Sequence, residues 1–163
     1  ARPANVYGTG SMPWVDVVIA ALQLGAPLIV DGGSGNAGLV HAGDVAAGLI
    51  AIATSGSAGE AYNICGDLEI SWRRYFTDIA RLARLELPRS VTYEELYAIA
   101  RQSENPEQRV VPEQYSSIPL ATLALIGSDN RFPTTRLRSA LGWQPAVDYD
   151  AALREIGHSL ESR

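Results

Sequence analysis

The six residues Gly33-Ser34-Gly35-Asn36-Ala37-Gly38 follow the GxGxxG pattern, whose glycines let a backbone turn hold a pyrophosphate when the last of them opens a helix. The short apolar segment Leu28 to Asp31 precedes them, which is half of the required context. The other half fails, because Leu39 to Gly43 intervene before Asp44, the first residue suited to capping a helix. The expected ribose-binding acid is also misplaced, since only Glu60 lies at a suitable distance and it precedes its strand. The run reads as a glycine-rich loop rather than a phosphate turn.

The remaining reactive side chains are sparse. All thirteen basic residues are Arg and none is Lys, so no mechanism can draw a lysine from this chain. Tyr97 and Arg101 have the spacing of a tyrosine–cation proton relay, but a guanidinium holds its proton too tightly for that work. His41 invites a search for a general base, against which a structural role is the favoured reading. His158 has no second ligand at metal-binding spacing. Cys65 is the single cysteine; it excludes an intrachain disulfide, and its neighbours Tyr62 to Ile64 point to an inert, buried thiol.

With 163 residues, 47% of them hydrophobic, the chain can bury a real core, and its net charge of -5 argues against nucleic acid as a partner. No apolar run is long enough for a membrane span and no signal-peptide pattern opens the chain, so a cytoplasmic location is the expectation. The start at Ala1-Arg2-Pro3, without Met, reads as a piece beginning mid-fold.

Periodicity places the elements that would position these groups. Ser11 is expected to cap an amphipathic helix through Leu22 that stops at Gly25, and Pro27 to Val30 and Leu39 to His41 to be short strands. Asp44 should cap a helix from Val45 to Thr54 that is apolar almost all round and therefore buried. Ala61 to Cys65 reads as an interior strand, and Ser71 as the cap of a helix from Trp72 to about Arg84. Thr92 and Glu95 form a capping box for a helix from Tyr93 to about Gln102. Ser103 to Pro133 is proline-broken, with one apolar patch from Leu120 to Ile126. Thr135 should cap a short helix closed by Gly142, and Asp148 or Asp150 should open the last one.

Five segments taken in order resemble a known family: Arg2-Pro3-Ala4-Asn5-Val6-Tyr7-Gly8, Val30 to Asn36, Val40-His41-Ala42-Gly43-Asp44-Val45, Ala61-Tyr62-Asn63-Ile64 and Leu141-Gly142-Trp143-Gln144-Pro145. They are similar to RPxNxYG, GxGxxN, VHVxDV, YNI and LGWxP of the extended short-chain dehydrogenases/reductases, the NAD-dependent epimerase/dehydratase family. The resemblance implies an α/β fold, the C-terminal part of a Rossmann-like enzyme with a mixed helix and short-strand substrate domain. Residues 1–10 and 58–66 would border the Rossmann sheet. It also implies that the N-terminal NAD(P)-binding half, with the YxxxK catalytic element, lies upstream of Arg2 and outside this chain.

Carried over residue by residue, the resemblance makes Pro3 and Ala4 neighbours of the cofactor, NAD or NADP in the complete protein, and Asn5 a substrate ligand. Sugar-nucleotide members carry an Arg after the glycine-rich turn, where this chain has Asn36-Ala37-Gly38; Asn36 would be a neutral substitute and Arg131 a cation from elsewhere. No catalytic residue and no metal ligand is assigned. The parent is expected to be an NAD(P)-dependent epimerase, dehydratase or reductase of a sugar or similar polar alcohol, with this chain not competent alone. The alternative is a non-catalytic small-ligand binding or regulatory module that kept the fold. Expected partners are a small-molecule substrate, a sugar or sugar nucleotide, and the N-terminal half, with room for a homodimer and with neither nucleic acid nor membrane.

Overall fold

Apolar runs as brief as Asn5 to Tyr7 and Leu39 to His41, each closed by turn-forming residues, can make only short ladders. The computed structural model describes residues 1–103 and 120–162, and its strands are all short and parallel. The chain is α/β and forms two compact units.

The first unit comprises Ala1–Val15, Gly38–Ile70 and Arg131–Arg163. Its strands are β1 (Arg2–Pro3), β2 (Asn5–Tyr7), β4 (Leu39–His41) and β5 (Asn63–Ile64); β1 pairs with β5 and β2 with β4. Helix α2 (Ala42–Ser55) follows β4 directly, and α6 (Thr135–Leu141) and α7 (Tyr149–Glu161) close the unit. Val40, Val45, Tyr62, Ile64, Leu137 and Trp143 form its core. Burying each such side chain stabilises by on the order of 1.5–3 kcal/mol.

The second unit comprises Asp16–Ala37 and Ser71–Asn130. Parallel strands β3 (Ile29–Val30) and β6 (Ser90–Val91) lie with α1 (Val17–Gln23), α3 (Trp72–Leu82), α4 (Tyr93–Ser103) and α5 (Leu120–Ile126). Trp72, Tyr75, Phe76 and Ile79 of α3 are fully buried, as their spacing requires. The Ser71 cap accepts a hydrogen bond from Arg74 N at 3.2 Å. Thr92 and Glu95 form the expected reciprocal box, Glu95 N donating to Thr92 Oγ1 at 3.2 Å and Thr92 N to Glu95 Oε2 at 2.8 Å.

Four expectations need correction. Ser11 does not cap: its hydroxyl donates to Val6 O at 2.9 Å, and a π-helical turn, Met12–Asp16, leads into α1. Asp44 is not a cap either, because α2 begins at Ala42 and His41 occupies the cap position, its Nδ1 accepting from Gly43 N at 3.1 Å. Helix α2 is not buried all round: Ala46, Leu49, Ile50 and Ala53 are exposed. Thr135 lies inside α6, whose cap position is Thr134. Other expectations agree with the structure: Gly142 ends α6 at φ 66, and Asp148 caps α7, accepting from Ala151 N at 2.8 Å. Of the proline-broken stretch, residues 104–119 lie outside the described residues, and the apolar patch from Leu120 forms α5.

Candidate functional site

Pro3, Ala4 and Asn5 are consecutive, so their geometry is set by the step from β1 to β2. Ala4 N donates to Ile64 O at 2.9 Å and Asn5 N to Gly38 O at 3.1 Å, which fixes the backbone on both sides of Ala4. Pro3 is exposed at the end of β1, and Asn5 is half-buried opposite Leu39 in the β2–β4 register.

Tyr7, at the end of the same strand, is buried and meets the His41 ring edge-on at 5.5 Å. A side chain at Gly8 would lie 3.0 Å from His41 Nε2, and Gly8 has φ 138, so the residue after Tyr7 is glycine on both steric and conformational grounds. Tyr7 and His41 line a cavity of about 320 Å³ within the first unit, with Asp44, Asp67, Asp148 and Tyr149 on its walls. The carboxylates have structural work. Asp44 accepts from Ala146 N at 2.8 Å and from Val147 N at 3.3 Å, Asp148 caps α7, and Asp67 pairs with Arg138. Burial first, then the charges of Asp44, Asp148 and Asp150, push the Tyr7 phenol up to about 12, so it keeps its proton at neutral pH and cannot act as a phenolate base. Burial likewise pushes the Cys65 thiol up, and Cys65 is buried, in keeping with an inert core cysteine.

Arg131 belongs to the first unit and forms an ion pair with Glu69. Sequence reasoning did not single out Glu69, 62 positions away, because nothing local marks it. Asn36 belongs to the second unit, and its backbone is held on both sides: its N–H donates to Asp129 Oδ1 at 2.9 Å, and its carbonyl accepts from Asn130 N at 2.8 Å. Asp129, too, was missed, being 93 positions from its partner. The structure thus sets Pro3, Ala4 and Asn5 side by side, and carries Arg131 in the same unit and Asn36 in the other.

The fit to a dinucleotide can be tested on the glycine loop. Asp31 (φ 44), Gly32 (φ 80) and Gly33 (φ 63) form a run of left-handed residues, and Gly38 leads into strand β4 rather than into a helix. No helix N-terminus is therefore presented by this turn to a pyrophosphate. Among the described residues no three His, Cys, Asp or Glu side chains gather to hold a metal ion, and no helix is long and apolar enough to cross a membrane.

Comparison by sequence with family models and with curated proteins finds no match. Comparison with solved structures does. A nucleoside-diphosphate-sugar epimerase from Pseudomonas aeruginosa is 18% identical with a TM-score of 0.68, over 98% of this chain and 46% of that one. A dTDP-glucose 4,6-dehydratase from Streptomyces venezuelae, solved with NAD bound, is 18% identical with a TM-score of 0.65, over 99% and 43%. The enzyme WbmF from Bordetella bronchiseptica, in complex with NAD+ and UDP, is 23% identical with a TM-score of 0.58, over 99% and 45%. This chain thus spans a little under half the length of the structures it matches, and at these identities the likeness is one of fold. The chain has the α/β fold of a portion of the Rossmann-like extended short-chain dehydrogenase/reductase structures, the epimerase/dehydratase group.

Proposed function

We propose that this chain is the substrate-facing portion of an NAD(P)-dependent epimerase, dehydratase or reductase that acts on a hydroxyl-bearing carbon of a sugar nucleotide or similar polar alcohol. The observation that carries the reading is that the whole chain aligns with a little under half of enzymes crystallised with NAD+ or NADPH, one of them with UDP as well. The ordered motifs from Arg2-Pro3-Ala4-Asn5 to Leu141-Gly142-Trp143 add support. In the complete protein the cofactor, held by an N-terminal half, supplies the hydride exchange. The share of this chain is positioning. The Asn5 amide can both donate to and accept from a polyol without burying a charge, and Pro3 and Ala4 flank the nicotinamide. Arg131 offers a guanidinium fork suited to a diphosphate, for which Glu69 would have to release it.

The test has two arms. The coding sequence upstream of Ala1 should carry a GxxGxxG turn and YxxxK, and the protein made with it should turn over UDP- or dTDP-sugars with a nicotinamide redox change, transient in an epimerase or dehydratase and a net oxidation of NAD(P)H in a reductase. Ala1–Arg163 alone should show no tight binding of NADH or NADPH by calorimetry. An upstream sequence without those motifs, or micromolar one-to-one cofactor binding by Ala1–Arg163 alone, refutes the reading.

A further inference from the structure

The glycine-rich turn opens no helix of its own, but it lies against the first turn of another helix of the same unit. A Cβ at Gly33 would stand 3.0 Å from Arg73 N and 3.2 Å from Arg73 Cβ, and Trp72 N donates to Gly35 O at 3.0 Å. The start of α3 is thus packed on this loop. Arg73 Nε donates to Gly32 O at 2.7 Å, and its Nη2 lies 4.0 Å from where a Gly32 Cβ would be. One edge of the guanidinium is tied to the loop backbone, which leaves the edge formed by the two Nη groups, a fork that matches a phosphate.

Two further observations bear on that edge. Arg73 is exposed, and among the described residues no carboxylate stands within ion-pair distance of it. Its neighbours Arg74 and Arg81 share Asp78, whereas Arg131, Arg136 and Arg138 pair with Glu69, Glu60 and Asp67. Asp31, beside Gly32 in the loop, accepts from Tyr93 N at 3.0 Å. The helix dipole, moreover, favours acidic side chains in a first turn, and α3 has none there, so Arg73 adds its charge to an end that is already positive. That placement works against the helix and raises a positive potential over the loop. We propose that Arg73 is the cation of the glycine-rich turn and that its Nη edge takes a diphosphate group of the substrate. From 41 positions away, α3 supplies what Asn36-Ala37-Gly38 lacks. Arg73 is better placed for this than Arg131, whose guanidinium must first leave Glu69. That the diphosphate belongs to a substrate rests on the functional reading above; the oxyanion site itself does not.

Calorimetry tests it in the longer protein, made with its upstream sequence and held in excess NAD+ and NADP+ so that a cofactor's own diphosphate site is filled. Inorganic pyrophosphate and UDP are the titrants. Arg73→Gln, which keeps an amide donor for Gly32 O, should raise both Kd values roughly tenfold. Arg73→Lys, a charge without the fork, should fall between the two, and it carries the comparison if Arg73→Gln folds poorly by circular dichroism. Arg74→Gln, one residue along and paired with Asp78, should bind as the parent does. A parent that binds neither titrant overturns the proposal, as do Kd values unchanged in the Arg73 variants or raised equally by Arg74→Gln. Pyrophosphate binding that depends on Arg73, in a protein that turns over no sugar nucleotide, would sustain the site and sink the functional reading. Turnover of sugar nucleotides with both Kd values indifferent to Arg73 would do the reverse.

Discussion

Asp44→Ala is the substitution whose cost can be worked out from the structure. The carboxylate is 5% exposed, sits in the first turn of α2 and accepts hydrogen bonds from Ala146 N and Val147 N, more than a hundred residues away. A hydrogen bond to a charged group contributes about 1.5–3 kcal/mol net. The 2.8 Å bond from Ala146 counts in full, whereas the two 3.3 Å contacts of Val147 with the carboxylate oxygens count as one weak bond. Removing a negative charge from a helix N-terminus adds about 0.3–1 kcal/mol. Ala146 is exposed, so water can partly replace its lost acceptor, and the total comes to about 3 kcal/mol. With a urea slope of about 2 kcal/mol per M, the unfolding midpoint should fall by ~1.5 M. Asp44→Asn keeps a neutral acceptor and should lose about a third of that. Urea titration followed by far-UV circular dichroism measures both. An Asp44→Ala midpoint within about 0.3 M of the parent, at unchanged slope, would refute the claim that this carboxylate ties the 146–147 segment to α2.

His41→Ala should cost about 1–2 kcal/mol, from the lost cap on Gly43 N and the edge contact with Tyr7, while His41→Asn, which can still cap, should retain most of that stability in the same titration. Since the Tyr7 phenol stays protonated in the folded chain to about pH 12 but ionises near 10 when unfolded, stability should fall by about 2–3 kcal/mol between pH 10 and 12. Tyr7→Phe should remove that part of the fall, and a pH profile identical to the parent's would contradict it. In the complete enzyme, Asn5→Ala and Arg131→Ala should each lower kcat/KM by roughly tenfold, about 1.4 kcal/mol, with folding retained. An unchanged kcat/KM would remove that residue from the proposed substrate contacts.

What could be read from the sequence was what is decided locally. The Ser71 cap, the Thr92–Glu95 box and the Gly142 stop each need partners within four residues, and all three form. The start of α2 misled because an Asp followed by an apolar run looks the same whether it stands at the cap or three residues inside the helix. Its carboxylate is drawn to Ala146 and Val147, which leaves the cap to His41. The all-apolar character of α2 was legible, but which side faces water depends on Gly48 against Ile64 and Trp143, contacts no periodicity encodes. Among the candidate residues, the backbone clamp on Asn36 in one unit and the carboxylate beside Arg131 in the other come from residues 93 and 62 positions away, beyond the reach of spacing arguments.

The ion pairs Arg131–Glu69, Arg136–Glu60 and Arg138–Asp67 join the same two stretches of chain, residues 60–69 and 131–138. Each is solvent-facing and singly worth little. Tethered side by side they behave as a chelate, because closing one holds the other two pairs at high effective concentration, and opening must break all three. Ionic strength then becomes a dial on this seam: the screening length falls from about 8 Å at physiological salt to about 3 Å at 1 M. The Leu137 and Trp143 packing beneath is indifferent to that change. Salt should thus loosen the surface of the seam, and expose the stretch that carries Arg131 to proteolysis, well before it weakens the core.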